Sequence, residues 1–208
     1  MPEPERGRPF FAAFYSCVGR LAERGPMSER RRALLANAIG VTVEIGAGTG
    51  LNARHYPASV SKVVAVEPNP HMLRRLRRAA ADARVPLVVQ RGSAEDLPLD
   101  AGFADTVVST LVLCSVEDPA AALGEIRRIL KPNGRFLFLE HVRADDPGLA
   151  RWQDRLERPW GWFGGGCHPN RDSEGAIRDA GFDLVEVERF DLPGVALVRP
   201  HVAGVASP

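Results

Sequence analysis

From residue 41 onward the chain alternates between two hydrophobic rhythms. Short unbroken runs of branched or aromatic residues occur at "VTVEI" (41–45), "KVVAV" (62–66), "PLVVQ" (86–90), "DTVVS" (105–109) and "RFLFLE" (135–140). Such runs fit strands covered on both faces of a parallel sheet. Between them, apolar residues recur every three or four positions. "NPHMLRRLRRAAADA" sets Met72, Leu76, Ala79, Ala80 and Ala83 on one helical stripe, with Arg74, Arg75, Arg77 and Arg78 mostly off it. "DPAAALGEIRRIL" carries Pro119 near its start and turns Leu123, Ile126 and Leu130 inward, and "KPNG" (131–134) reads as a turn into the next strand.

The end of the chain changes rhythm. "FDLVEVERF" (182–190) alternates polar and apolar, and a last strand is expected after Pro200, which cannot donate to a ladder. Two strands so close in sequence predict an antiparallel final pair. The first 40 residues read as helical: Ser28 is the expected N-cap of "ERRRALLANAIG", with Gly40 as its stop. Upstream, Phe10, Phe11 and Phe14 suit a docked N-terminal helix, or a weak interfacial contact. The pattern predicts an α/β fold: a doubly wound, mostly parallel, seven-stranded sheet with an antiparallel last strand.

Composition narrows the picture. A chain of 208 residues suits one domain, and 45% hydrophobic with 25% charged residues is ordinary for a soluble protein. The net charge of +1 gives no support for nucleic-acid binding. Cys17, Cys114 and Cys167 are too few and too irregular for a disulfide scaffold or a zinc knuckle, which predicts a reducing, cytoplasmic setting and no metal. The apolar run "PFFAAFYSCVG" is too short to span a bilayer, so no stable membrane anchor is expected.

The chemistry concentrates after the first strand. "VEIGAGTGLN" (43–52) carries three glycines in five positions, with Glu44 two residues before the first. Glycines there allow tight turning and close approach of a ligand to the main chain, at the carboxyl end of a parallel strand where open sheets bind ligands. The dinucleotide spacing Gly-x-Gly-x-x-Gly fails, because Leu51 stands at its third glycine. Glu67 ends the second strand, 21 residues after Gly46, and can accept both hydrogens of a ribose diol. Both a nicotinamide dinucleotide and S-adenosylmethionine carry that diol.

Together with "GSAEDLP" and "STLVLCSVED", these blocks resemble the class I S-adenosylmethionine-dependent methyltransferases, whose fold is Rossmann-like. The resemblance implies that Gly46, Gly48 and Gly50 approach the methionine portion, Glu44 faces its amino group and Glu67 holds the ribose. "GSAEDLP" would line the adenine; where many relatives have Asp this chain has Ser93, with Glu95 or the Ala94 backbone as substitutes. The implied cofactor site also takes in Ala47 and Asn52, then Pro68, Asn69 and Met72, then Thr110, Leu111 and Val112. On this reading residues 1–208 form a single methyltransferase domain: a helical cap (1–40), a cofactor-binding half (41–141) and a substrate-side half (142–208).

"TLVLCSVED", "LEHV", "GGGCHPNRDS" and "VRPHVAG" are similar to a narrower methyltransferase-like family that includes vertebrate alkyl-thiol S-methyltransferases. The implied activity is methyl transfer to a small-molecule acceptor, with a thiol as one option and a phenol or quinol, amine or lipid head group as others. Vertebrate members carry an N-terminal membrane anchor, which this sequence is not expected to share. His141 is the first candidate base or substrate positioner, against a histidine that only packs. Cys167, His168 and Arg171 lie in a glycine-preceded loop that reads either as a substrate lid or as a helix cap built on Asp172 or Ser173. Cys167 with His168 lacks a third metal ligand at recognisable spacing. Trp152, Trp160, Trp162 and Phe163 suit an apolar pocket or plain packing.

Three other classes fit less well. An NAD-dependent oxidoreductase lacks its third glycine and a Tyr-x-x-x-Lys pair. A nucleic-acid methyltransferase would need Asn/Asp-Pro-Pro-Tyr/Phe where "TLVLCS" stands. A non-catalytic cofactor-binding protein would keep the glycines and Glu67 as well. A monomer or a homodimer suits the composition equally.

Overall fold

The computed structural model describes residues 25–208. The expected N-terminal helix with Phe10, Phe11, Phe14 and Cys17 lies outside the described residues. In chain order the elements are α1 (Pro26–Leu35), β1 (Gly40–Ile45), β2 (Val60–Val66), α2 (Pro70–Ala81), β3 (Leu87–Gln90), β4 (Ala104–Thr110), α3 (Pro119–Ile129), β5 (Leu130–His141), α4 (Pro147–Phe163), α5 (Ser173–Asp179), β6 (Asp183–Asp191) and β7 (Pro200–Ser207). Among the described residues, the seven strands form one sheet in the order β3-β2-β1-β4-β5-β7-β6. β1 to β5 run parallel, and β7 is antiparallel to both β5 and β6. Chain order reverses between β1 and β4, which opens a crevice at their carboxyl ends. No helix among the described residues is long and apolar enough to cross a membrane.

β5 shows why the central strands read as unbroken apolar runs. Phe136 and Phe138 pack on one face with Val43, Ile45, Leu123 and Ile126. Leu137 and Leu139 pack on the other with Leu35, Tyr56, Leu76 and Val108. Each face carries its own hydrophobic layer, so successive residues all need to be apolar.

Five expectations change. Ser28 is not the N-cap of α1: Pro26 starts the helix one turn early, Gly25 caps it, and the Ser28 N–H donates to the Gly25 carbonyl at 3.0 Å. Gly40 does not stop that helix but opens β1, with φ +60°, against the Asp105 carboxylate that accepts the Val41 N–H at 2.8 Å. β3 is a sheet edge, and Val88 is 49% exposed, so its apolar run is not covered on both faces. "KPNG" is not a turn between elements. Leu130 already pairs with Ala104, Arg135 pairs with Thr106, and Lys131 to Gly134 form a bulge inside β5. In α2 the buried stripe is Met72, Leu73 and Leu76, and Ala83 falls beyond the helix end.

Candidate functional site

A cavity of about 770 Å³ opens at the carboxyl ends of β1, β2, β4 and β5. Its walls include Gly46 and Gly48 after β1, Glu67, Pro68, Asn69 and Met72 after β2, Ser93, Ala94 and Glu95, and Thr110, Leu111 and Val112 after β4. Twelve of the sixteen residues expected at a cofactor site therefore meet in one space, although four chain segments supply them.

Gly46 has φ +55°, and a Cβ there would come within 2.6 Å of Val112 Cγ2. Its bareness lets the β1 loop close on the β4 loop. Gly50 does something else: a Cβ would meet Ala79 at 2.6 Å, so this glycine seats the loop on α2 and does not line the cavity. Glu67 is buried, and its two oxygens accept the Gly48 and Asn69 N–H groups at 2.8 Å each. Burial raises its carboxyl pKa, and those two backbone donors oppose the rise.

Glu44, Ala47 and Asn52 stand one step behind the main wall. Tyr56 donates its hydroxyl to Glu44 Oε2 at 2.7 Å, and Asn52 Nδ2 donates to Glu44 Oε1 at 3.0 Å. Asn52 Oδ1 in turn accepts Arg31 Nη1 at 2.9 Å, and its Nδ2 also reaches Thr110 Oγ1 at 3.0 Å. Glu44 and Ala47 line a second space of about 20 Å³ shared with Arg31, Gly46 and Gly48, which is room for one water. Arg31 and Tyr56 carried no sequence signal, since each sits in an ordinary helical or loop context.

Burial lifts the Glu44 carboxyl to about 7, against hydrogen bonds from Tyr56 and Asn52 and the nearby Arg31 charge. A carboxyl raised in the folded state favours folding below its ordinary value of 4.5, and that contribution disappears as pH rises through 7. The loss is on the order of 3 kcal/mol. Glu44→Gln removes the titration, so urea unfolding at pH 5 and pH 8 is expected to show wild type losing more stability than the variant across that window. Parallel losses would mean that Glu44 ionises without penalty.

The β4 loop is gripped from two sides. Glu140, fully buried at the end of β5, accepts Ser109 Oγ at 2.6 Å and the Val112 and Cys114 N–H groups at 3.1 and 3.3 Å. Arg171 Nη1 donates to the Leu113 and Val116 carbonyls at 2.7 and 2.6 Å. Between these anchors Leu111 holds φ +59°, a left-handed conformation unusual for a branched side chain. Arg171 thus positions the loop and is not part of the cavity lining. Glu140 escaped the sequence reading, although an acid closing an otherwise apolar strand in "RFLFLE" was its available signal.

On the side where adenine was expected, Ser93 Oγ donates to Glu95 Oε2 and Glu95 Oε1 accepts the Glu117 N–H at 3.0 Å. At the opposite end the lining comprises Cys114, Ser115, His141, Gly164, Gly165 and Cys167. His141 Nδ1 lies 3.3 Å from Cys167 Sγ, and the His141 ring meets the His201 ring edge-on at 4.5 Å. Burial lowers the His201 pKa to about 4, so that ring is neutral.

His168 does not join this group. Its Nδ1 donates to Glu157 on α4 at 2.7 Å, and its N–H donates to the Cys114 carbonyl at 2.7 Å. Asp172 caps α5 by accepting the Gly175 N–H at 2.9 Å. The "CHPNRD" segment is thereby fastened at several points, and of its side chains only Cys167 faces the cavity. Trp152 and Trp162 are exposed and do not line this cavity.

Residues 43–138 match the family described as a methyltransferase domain. The chain is 36% identical over 195 residues to the human thiol S-methyltransferase TMT1B, covering 86% of this chain and 79% of that one. It is 36% identical over 170 residues to human TMT1A, also named a thiol S-methyltransferase, covering 79% and 69%. Among solved structures, a SAM-dependent methyltransferase from Thermotoga maritima superposes with TM-score 0.68 at 25% identity, over 95% of this chain and 97% of the other.

Proposed function

Because the chain belongs to the S-adenosylmethionine-dependent methyltransferases, we propose that its acceptor is a small-molecule thiol and that His141 handles the acceptor's proton. The acceptor assignment is carried by the likeness to the human thiol S-methyltransferases, which runs through both the cofactor loops and the "GGGCHPNRD" segment.

The residues present suit the cofactor. Glu67 keeps a lone pair on each oxygen beyond its two backbone donors, enough for two ribose hydroxyls. The Gly46 and Gly48 backbone would take the amino-acid end, with Glu44 acting through a water. Leu111, Val112, Met72 and Ala94 would flank the base. When bound, S-adenosylmethionine supplies a methyl group on a sulfonium that leaves as a neutral thioether.

The chain's remaining task is alignment, which can lower a barrier by about 7–11 kcal/mol, whereas a general base adds about 10²–10⁴-fold. A thiol of pKa about 8.5 needs little help from a base. His141 lines the acceptor end and would take up its proton, and Gly164 and Gly165 line that end with it. In this reading residues 41–141 hold the cofactor and 142–208 shape the acceptor side of one catalytic unit.

The test is methyl transfer from labelled S-adenosylmethionine to a panel of alkyl thiols, phenols and amines. Thiol methylation at the highest kcat/KM is expected. Activity confined to phenols or amines overturns the acceptor assignment and leaves the methyltransferase intact.

A further inference from the structure

We propose that Cys114, His141 and Cys167 form a three-ligand zinc site at the acceptor end of the cavity, with the fourth coordination position open to an incoming sulfur. The sequence alone pairs Cys167 with His168, and that pair fails because His168 turns away to Glu157. The fold supplies different partners. Cys114 follows β4, His141 ends β5 and Cys167 precedes α5, and their ligand atoms all lie within 4.8 Å of one another.

The spacing suits zinc. With Zn–N about 2.0–2.1 Å and Zn–S about 2.3 Å, tetrahedral geometry needs N···S edges of about 3.6 Å and S···S edges of about 3.8 Å. His141 Nδ1 and Cys167 Sγ stand at 3.3 Å, and no pair in the cluster has to close by more than about 1.2 Å to reach those edges. Two thiolates and an imidazole select zinc over magnesium, calcium or manganese, which prefer oxygen donors.

The surroundings hold the ligands in place. Cys114 is held through its backbone at both ends, its N–H on Glu140 and its carbonyl on the His168 N–H. That second bond comes from the residue next to Cys167, so it sets the two thiols face to face. The His201 ring lies edge-on to His141, and its Nδ1 is fixed on the Arg199 carbonyl at 2.8 Å. Both cysteines are buried. Structural zinc sites close with four protein ligands, while a site that does chemistry keeps one position open. All three ligands here line the cavity that also contains Gly46 and Glu67, so the open position faces the acceptor.

The role of the ion rests on the thiol reading; the site itself does not. An acceptor thiol coordinates the zinc and releases its proton to solvent, because a metal-bound thiol is deprotonated outright. In the zinc-loaded protein His141 is a ligand and the metal deprotonates the thiol in its place; proton transfer to His141 belongs to the metal-free protein. The thiolate sulfur forms a bond to the methyl carbon, the sulfonium carbon–sulfur bond breaks, and its electron pair stays on the departing neutral sulfide. The product thioether, a poor ligand for zinc, dissociates.

The experiment uses the full chain in a phosphine reductant. Cobalt(II) is titrated as a spectroscopic probe, followed by competition with zinc. One equivalent of cobalt with intense thiolate-to-metal bands, bleached by zinc, is expected. Cys167→Ser should lower zinc affinity more than about 100-fold, since even residues that only orient a ligand account for 10–100-fold. S-adenosylhomocysteine binding reports whether that variant is folded, and His141→Gln is the second variant if it is not. Cobalt without thiolate bands, or zinc affinity unchanged in a folded variant, overturns the site. Thiol methylation by a protein that binds no zinc overturns the site and spares the thiol reading. A zinc-loaded protein that methylates only phenols or amines does the reverse.

Discussion

Glu67→Ala is expected to weaken S-adenosylhomocysteine binding by about 100- to 1,000-fold. Each Glu67 oxygen already accepts one backbone N–H, from Gly48 or from Asn69, and each retains a lone pair for a ribose hydroxyl. A hydrogen bond to a charged group contributes about 1.5–3 kcal/mol, so losing two removes about 3–6 kcal/mol, part of which is recovered as water reaches the freed ribose hydroxyls. The alanine also releases the Gly48 and Asn69 N–H groups that shape the rim. Glu67→Gln should fall between the two, because its amide nitrogen cannot accept from either backbone donor. Calorimetry gives the affinities, and circular dichroism establishes that the variants are folded. An unchanged dissociation constant for Glu67→Ala would remove this residue from the cofactor site.

The second large effect is on stability. Glu140→Leu strands three buried donors, the Ser109 hydroxyl and the Val112 and Cys114 N–H groups, and frees Leu111 to leave its left-handed conformation. Each stranded donor costs about 1–3 kcal/mol, partly recovered as the loop relaxes, so a net loss of about 3–5 kcal/mol in urea unfolding is expected. Cofactor affinity should fall with it, because Leu111 and Val112 line the cavity. Glu140→Gln keeps one carbonyl acceptor and should lose less than half as much. A loss below about 1 kcal/mol for Glu140→Leu would mean that water replaces the carboxylate.

Much of this was legible in the chain, and what was not has identifiable causes. Strands β1, β2, β4 and β5 could be read because both faces of their central stretches are covered, which favours apolar residues at successive positions. β3 has the same kind of sequence at a sheet edge, because single-strand periodicity carries no information about neighbours. Gly46 and Gly50 are identical in sequence terms, yet one makes room for Val112 and the other for Ala79, a difference set by elements far along the chain. His168 and Arg171 lie in a loop that reads as a lid or a helix cap, and in the structure both fasten loops. Their partners, Glu157 and the Leu113 and Val116 carbonyls, have no pattern linking them to the motif. The same non-locality hid the convergence of Cys114 and His141 on Cys167.

The double grip on the β4 loop has a consequence for engineering. Its N–H groups answer to Glu140, at the end of β5, and its carbonyls to Arg171, in the segment proposed to shape the acceptor end. Acceptor preference therefore cannot be transplanted between relatives by exchanging residues 142–172 alone. A graft that arrives without a matched 111–116 stretch leaves its arginine facing the wrong carbonyls, and cofactor affinity changes along with the acceptor. The smallest exchangeable module is discontinuous, pairing those six residues with the later segment and Glu140.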